Sequence, residues 1–434
     1  MNNGVKELSS VATIARDLIQ IDTTNFGNGE SRGEEIAAQY VESRLTQMGL
    51  SSTSFSPEAG RTSLVSRIPG KDGSLPPLLL HGHLDVVPAD DAGWTHDPYG
   101  GVIADGCLWG RGAVDMKNMV AMILASTHEM LVEGEQPQRD VILAFLADEE
   151  DRGRLGAQYL VDSKPELFAG AIAAVGEVGG YSVDVGGRRA YLVQTGEKSL
   201  TWLRLIARGP AGHGSRAYGR TAIARLAEAV ARLSAHSWPV QMIEATDVLI
   251  TAIRTQLGAP ETLSPQEALA SLGHASGFIE GGLSVTANTT VLRAGMKQNV
   301  VPAVAEALVD VRALPGGELE AIAEVRRLVG ADIEVEVVTN LPGVSSPATG
   351  SVMEAMTASI RAKDPDALVL PYILPAGTDN KMFSQMGING YGFAPMLLPA
   401  EFNFADMFHN VDERVPIESL TFGVGVLSDF LRRV

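Results

Sequence analysis

Residues 77–88 read P-L-L-L-H-G-H-L-D-V-V-P, an apolar run that breaks into His81, Gly82, His83, Leu84 and Asp85 before Val86 and Val87 resume. The run reads as a buried strand, and polar residues at the end of such a strand suggest a site. Side chains alternate along a strand, so His81, His83 and Asp85 share a face, and Asp85 can accept the second ring proton of His83. That arrangement fixes the tautomer of a metal-bound histidine. A core histidine satisfied by a neighbouring carbonyl fits the same residues, and further ligands elsewhere in the chain are what would decide.

Candidates follow at four places. Gly110, Arg111, Gly112, Ala113 and Val114 form a glycine-rich turn that delivers Asp115 to the start of a helix. The dinucleotide spacing G-x-G-x-x-G is absent, and a helix N-cap aspartate is the competing role. Asp148, Glu149, Glu150 and Asp151 follow the apolar run 141–146. Four consecutive carboxylates repel one another unless cations sit among them, or they form a solvated acidic loop. Glu177 follows the apolar run 171–175, and His409 sits in F-H-N-V-D-E-R-V-P. Counting His83, three of these sites follow predicted buried strands, which in an open parallel sheet puts them at its carboxyl edge. His83, Asp115, Glu150, Glu177 and His409 make a mixed nitrogen and oxygen ligand set, suited to zinc or its neighbours and unsuited to magnesium or calcium.

The elements that must position these residues read as α/β. With 434 residues, 45% of them apolar, the chain has material for a large core in two or three domains. Helical spacing recurs over 11–18 and 36–48, the latter through Ile36, Tyr40, Val41, Leu45 and Met48. Strands are predicted over 64–68, 78–84 and 141–147, with helices over 115–132 and 155–161 between and after them. Helices alternating with apolar strands indicate a largely parallel sheet covered on both faces. Beyond Glu197 the pattern changes to a strand over 201–208, a helix over 221–233, strands over 284–292 and 304–312, a helix over 319–329 and a strand over 333–338. That order, βαββαβ, is the split βαβ of a ferredoxin-like domain. Residues 238–282 interrupt it as an insertion to which the pattern assigns no role. Helices over 353–362 and 420–430 resume the opening style. The predicted organisation is therefore a first domain in two parts, 1–196 and 342–434, with the small domain 197–341 inserted.

Lys and Arg number 34 against 52 Asp and Glu, a formal charge of −18, so the surface repels phosphate backbones and anionic lipid. Nucleic acid and membrane are not expected partners. Every apolar run is interrupted before it could span a bilayer, and the single cysteine, Cys107, excludes an internal disulfide. The expectation is a cytoplasmic protein.

H-G-H-L-D-V-V-P, G-R-G-A-V-D-M-K, L-A-D-E-E, V-G-E-V-G-G, G-H-G-S, Q-N-V-V-P, G-T-D-N and F-H-N-V-D-E-R-V-P occur in that order over nearly the whole chain. In these motifs the sequence resembles the co-catalytic zinc aminoacylase and carboxypeptidase family. The resemblance implies a hydrolase-like, mostly parallel-sheet catalytic domain carrying an inserted ferredoxin-like domain that serves as lid and dimerisation surface. It implies two Zn2+ per subunit, with Co2+ or Mn2+ as possible substitutes. Asp115 would bridge them, His83 and Glu177 would hold one, and Glu150 and His409 the other. Asp85 would orient His83, and Glu149 would be the general base. His213 of G-H-G-S would reach the active site of the other subunit of a homodimer. Asn299, Arg312, Gly377 and Thr378 would cradle the substrate's free carboxylate. A cis peptide bond between Asp115 and Met116 is also implied. Val178, Gly179 and Gly180 after Glu177 depart from the proline and threonine of many relatives and lie closer to the carboxypeptidase S-like branch. The implied activity is hydrolysis of the amide bond of N-acyl amino acids or short peptides. A family member that kept the fold for binding or assembly is the competing class, and retention of Glu149 with all five ligands argues against it.

Overall fold

A computed structural model describes residues 10–89 and 92–434. A ten-stranded sheet runs in the order Tyr181–Val185, Arg188–Glu197, Asn389–Gly392, Ala173–Gly176, Leu78–His83, Val141–Leu146, Arg61–Ile68 and Ser52–Glu58, with Val344–Ser345 and Leu368–Leu374 also paired to Arg188–Glu197. Its centre is parallel: Leu78–His83 pairs in parallel with both Val141–Leu146 and Ala173–Gly176, and the latter with Asn389–Gly392. The Arg61–Ile68 and Ser52–Glu58 edge is antiparallel.

Both faces of this sheet are buried, which explains why its central strands read as unbroken apolar runs. Leu78, Leu80, Val141, Leu143 and Phe145 enter one core, together with the helices Ser10–Ile19, Lys117–Val132, Ser351–Lys363 and Ile417–Arg433. Leu79, Ile142, Ala144 and Leu146 enter the other, against Ala157–Ser163 and Asn380–Ser384. The alternation is that of successive side chains on a pleated strand.

The helix face predicted over 36–48 is rotated from expectation. In Glu35–Gln47 the buried positions are Ala37, Ala38, Val41 and Leu45, while Ile36 is exposed. In Ala222–Ser234 they are Ala222, Leu226, Ala229 and Leu233, while Ile223 is exposed. Small alanines let each helix approach its neighbour closely, and the bulkier residue is turned outward. The helix predicted from 115 begins at Lys117, so Asp115 stands in the turn before it.

The second sheet has four antiparallel strands in the order Thr286–Ala294, Val304–Arg312, Leu200–Arg208 and Ile333–Leu341. Ala222–Ser234 and Glu318–Val329 cover one face and share a separate core with it, through Leu203, Leu205, Leu226, Val309 and Val325. Trp238 packs against that core, but the helices that follow it do not join it. These helices, Glu244–Leu257, Pro265–Ala270 and Ser276–Glu280, place Leu249, Ile250, Ile253, Leu269 and Ile279 in the core of the large sheet, packed on Leu368–Leu374.

Candidate metal and catalytic site

His83 ends the strand Leu78–His83, Asp148 to Asp151 follow Val141–Leu146, and Glu177 follows Ala173–Gly176. These three strands are adjacent and parallel, so their ends deliver the residues to one edge of the sheet. Asp115 and His409 arrive from loops. His83 Nε2 lies 3.0 Å from Asp115 Oδ1 and 3.7 Å from Glu177 Oε1. His409 Nε2 lies 3.1 Å from the other oxygen, Asp115 Oδ2, and 3.4 Å from Glu150 Oε2. Asp115 thus stands between two imidazoles with one oxygen toward each. Ligand atoms of His83, Glu149 and Glu177 fall within 4.8 Å of one another, as do those of His83, Asp115 and Glu150.

Asp85 departs from its predicted contact. His83 Nδ1 meets the main-chain carbonyl of Asp85 at 2.9 Å, and the Asp85 carboxylate stands 3.5 Å away. That carboxylate instead accepts the backbone N–H groups of Glu149 and Glu150, each at 3.2 Å, and Asn25 Nδ2 at 2.9 Å. One aspartate therefore fixes the histidine through its backbone and aims the paired glutamates through its side chain. The Glu149 to Asp151 turn is flanked by Asp148 and Arg152 with φ of 69° and 74°, a left-handed conformation that non-glycine residues adopt at some cost. Asp148 is held by Arg61 at 2.6 Å, and Arg61 in turn pairs with Glu34 at 2.9 Å, all three buried.

Glu413, in the motif of His409, grips the second turn. Its carboxylate accepts from Val114 N at 2.7 Å and Asp115 N at 3.1 Å, and pairs with Arg111 at 2.6 Å. Gly112 has φ 89°, and a Cβ there would stand 2.9 Å from the buried Lys117 chain. The Asp115–Met116 peptide bond is cis. None of Glu413, Asn25, Arg61 or Glu34 was singled out by pattern. Each is a polar residue whose partner is remote in sequence, and the one local signal is that Glu413 shares the F-H-N-V-D-E-R-V-P motif.

The electrostatics of this cluster call for cations. Burial, then repulsion from Asp115, pushes the Glu177 carboxyl up to about 8. Burial also drives Glu149 well above the usual glutamate range, with His83 opposing and Glu177 and Glu150 adding to it. Burial alone would raise Asp115, but the hydrogen bonds from His409 and His83 outweigh it and hold that carboxyl well below the usual range. His409 is pushed up to about 10 by its bonds to Asp115 and Glu150. Glu150 Oε1 is buried and has no hydrogen-bond partner among the described residues. A carboxylate cluster that forces its own members toward protonation, with an oxygen left unpaired, fits divalent cations bound among its oxygens and imidazoles.

A cavity of about 390 Å³ opens beside Glu149 and Glu150 and is lined further by Arg152, Trp202, Arg312, Gly377 and Thr378. Arg312 comes from the small sheet, where Asp310 holds it at 2.8 Å. Thr378 is more committed than expected, since its N–H and hydroxyl both donate to the buried Glu197, leaving neither for a substrate. His213 and Asn299 lie together, His213 on the segment Gly212–His213 and Asn299 just before its partner Val300–Val301, with Gly214 N donating to Asn299 O at 2.8 Å. Both are exposed and neither lines the cavity; His213 Nδ1 meets Ser215 Oγ at 2.8 Å.

Imidazoles and carboxylates converge at the carboxyl edge of a parallel sheet, beside an open cavity, in an arrangement suited to divalent metal ions. The family described as Peptidase family M20/M25/M40 matches residues 79–433, and the chain belongs to it. It is a metal-dependent enzyme that hydrolyses amide or peptide bonds. It is 29% identical over 400 residues to a probable carboxypeptidase S-like 2 of Dictyostelium discoideum, covering 82% of this chain and 71% of that one. Aminoacylase-1 of Sus scrofa is 28% identical over 404 residues, covering 91% and 89%. The N-fatty-acyl-amino acid synthase/hydrolase PM20D1 of Xenopus tropicalis is 27% identical over 440 residues, covering 96% and 84%. The fold matches the crystal structure of an M20 family metallo-carboxypeptidase from Sulfolobus solfataricus with TM-score 0.74 at 18% identity, over 100% and 99% of the two chains. A dinuclear metal-binding M20 peptidase from Bacillus subtilis aligns with TM-score 0.61 at 16% identity, over 97% and 96%.

Proposed function

We propose that the enzyme is exo-acting and cleaves the amide bond of an N-acyl amino acid or short peptide whose free carboxylate is bound by Arg312. The observation that carries this reading is the shared cavity, with Glu149 and Glu150 on one side and Arg312 and Gly377 on another. The names aminoacylase, carboxypeptidase S-like and N-fatty-acyl-amino acid hydrolase among the relatives support it. In this reading His83 and Glu177 hold one ion, Glu150 and His409 the other, and Asp115 both. The mixed donor set favours Zn2+, with Co2+ or Mn2+ as substitutes, and metal analysis of the purified protein checks it. Two such ions, when bound, lower the pKa of a water between them and polarise the scissile carbonyl.

The residues then divide the work. Glu149 takes a proton from the attacking water and returns it to the leaving nitrogen as the C–N bond breaks, giving a carboxylic acid and an amine. Asp85 keeps Glu149 turned to that task by holding its backbone N–H. The Arg312 guanidinium matches a carboxylate and fixes the distance from that carboxylate to the scissile bond. Arg312→Ala should lower kcat/KM for a free acid about 10- to 100-fold, the worth of a charged hydrogen bond. The methyl ester of the same substrate should be poor with both enzymes and indifferent to the change. Equal losses on acid and ester would reduce Arg312 to a structural partner of Asp310.

The domain division 1–196, 197–341 and 342–434 belongs to the same proposal, with residues 238–282 folded back onto the large sheet. The small sheet would act as lid and dimer surface, so that His213 of the partner subunit stabilises the oxyanion. The exposed position of His213, away from its own chain's cavity, supports this. Mixing inactive Glu149→Gln and His213→Ala subunits should then give one working site of the two in each mixed dimer. Absence of recovery after verified subunit exchange would remove His213 from the reaction. No helix among the described residues is long and apolar enough to cross a membrane. With one cysteine the chain suits a reducing compartment, and we place it in the cytoplasm, which cell fractionation tests.

A further inference from the structure

His409 has features that do not by themselves fix a ligand. Its side chain is 54% exposed, and its backbone has φ 57°. An exposed imidazole on a loop gains little orientation from burial, and holding a left-handed backbone at a non-glycine residue costs free energy that neighbours must supply. On its C-terminal side the loop is tied by Asp412, which accepts from Thr95 N at 2.7 Å and Thr95 Oγ1 at 2.8 Å, and by Glu413. On its N-terminal side the loop closes on itself, Asn410 Nδ2 donating to Asp406 O at 3.1 Å, and a column of rings meets it there.

Phe408, next to His409, stacks on Phe278 with centroids 6.1 Å apart and planes 5° from parallel. Its other neighbour is Phe404, edge-on at 5.2 Å. Phe404 contacts Tyr181 at 4.8 Å, and Tyr181 meets Tyr372 at 6.4 Å. The Tyr372 hydroxyl donates to the carbonyl of Val178, the residue after Glu177. Tyr181, Phe404 and Tyr372 are buried, so the column stands on the large core.

Phe278 closes the outer end of the column, and it belongs to the insertion that the sequence pattern left without a role. Its helix, Ser276–Glu280, is firmly seated. Lys198 Nζ donates to Gly281 O at 2.9 Å and Ser284 O at 2.8 Å, and a Cβ at Gly282 would stand 2.4 Å from Ile373 O. Leu272, Ala275 and Ile279 lie in the large core on either side of it. A rigidly docked ring is thus presented to the residue that precedes the loop histidine.

We propose that residues 244–283 serve to hold the His409 loop for metal binding, with Phe278 as the positioning residue acting through Phe408. The inference rests on the reading of His409 as a ligand of one of two ions. Stacking on Phe278 restricts Phe408, Phe408 restricts the backbone of its neighbour, and the imidazole keeps its place between Asp115 and Glu150 before any ion arrives. Preorganisation of this kind raises affinity by cutting the ordering cost of binding.

The test is a zinc titration of the apo protein against a chromophoric chelator, for wild type, Phe278→Ala, Phe278→Tyr and His409→Ala, with thermal unfolding of each apo form alongside. Phe278→Ala should bind one zinc about 10-fold more weakly and the other as wild type does, about the factor that one aromatic pair supplies. Phe278→Tyr keeps the ring and should behave as wild type. His409→Ala should lose the same site that Phe278→Ala weakens. Should Phe278→Ala not fold, Phe278→Leu, which keeps apolar volume without the stacked ring, is read in its place and should show the same one-site weakening. If His409→Ala loses a site while the Phe278 variants keep both affinities, the positioning role is overturned and the ligand reading stands. If both affinities fall together with the unfolding temperature, Phe278 is a packing residue and the proposal is likewise overturned. Two intact sites in His409→Ala would overturn the ligand reading itself.

Discussion

Glu149→Gln should retain both metals and lose turnover by about 100- to 10,000-fold, the contribution of a positioned proton acceptor. The substitution preserves shape and the ability to donate or accept a hydrogen bond, so the water can still be held. What it removes is the capacity to accept a proton. The structure makes the comparison a clean one, because Glu149 is aimed by its backbone, through the Asp85 carboxylate at 3.2 Å, and that bond survives the change. Burial of Glu149 favours its neutral form, and His83 opposes that effect. Cations in the proposed sites would oppose it further and favour the form that can accept a proton. Activity within tenfold of wild type, with metal content verified, would assign the base elsewhere.

The residues of the proposed site are legible because each directly follows a short apolar strand or lies in a distinctive turn. His83, Glu150 and Glu177 needed only the recognition that three buried strands end in polar residues. What holds them was not legible. Asp115 N and its acceptor Glu413 are 298 residues apart, and Arg61 and Asp148 are 87 apart. A polar residue satisfied by so remote a partner looks, in sequence, like a surface residue. The strand Arg188–Glu197 was missed for a related reason. It is buried over most of its length yet contains Gln194, Thr195 and Glu197, which break the apolar run that marks a buried strand. Glu197 is affordable there because Gln194, Thr378 and Lys381 surround it. That same satisfaction is why Thr378 is unavailable to a substrate.

The insertion illustrates a different limit. The pattern assigns it no role, and the core its helices join is fixed by packing on Leu368–Leu374, a strand that lies far later in the chain. Order along the chain therefore does not tell which core the insertion packs on, while the split βαβ order of the small sheet follows from local periodicity alone.

The last expected result separates a bridging ligand from a base. Asp115→Ala should lose metal as well as activity, because the two oxygens of Asp115 face His83 at 3.0 Å and His409 at 3.1 Å, one toward each half of the ligand set. On the proposed assignment, removing it would take a donor from both ions, and it also strips the two imidazoles of their shared acceptor. His409 then loses the larger of the two hydrogen bonds that now hold its pKa up at about 10, and the exposed ring is left with Glu150 alone. Elemental analysis after dialysis should find Asp115→Ala depleted of both ions under conditions in which Glu149→Gln keeps them. Asn at this position should do little better, since an amide offers one oxygen and no net charge to two cations. Undiminished metal in Asp115→Ala would show that His83 with Glu177 and His409 with Glu150 suffice as two independent sites. Asp115 would then be removed from the bridge, and its grip by Glu413 would be left as a feature of the turn.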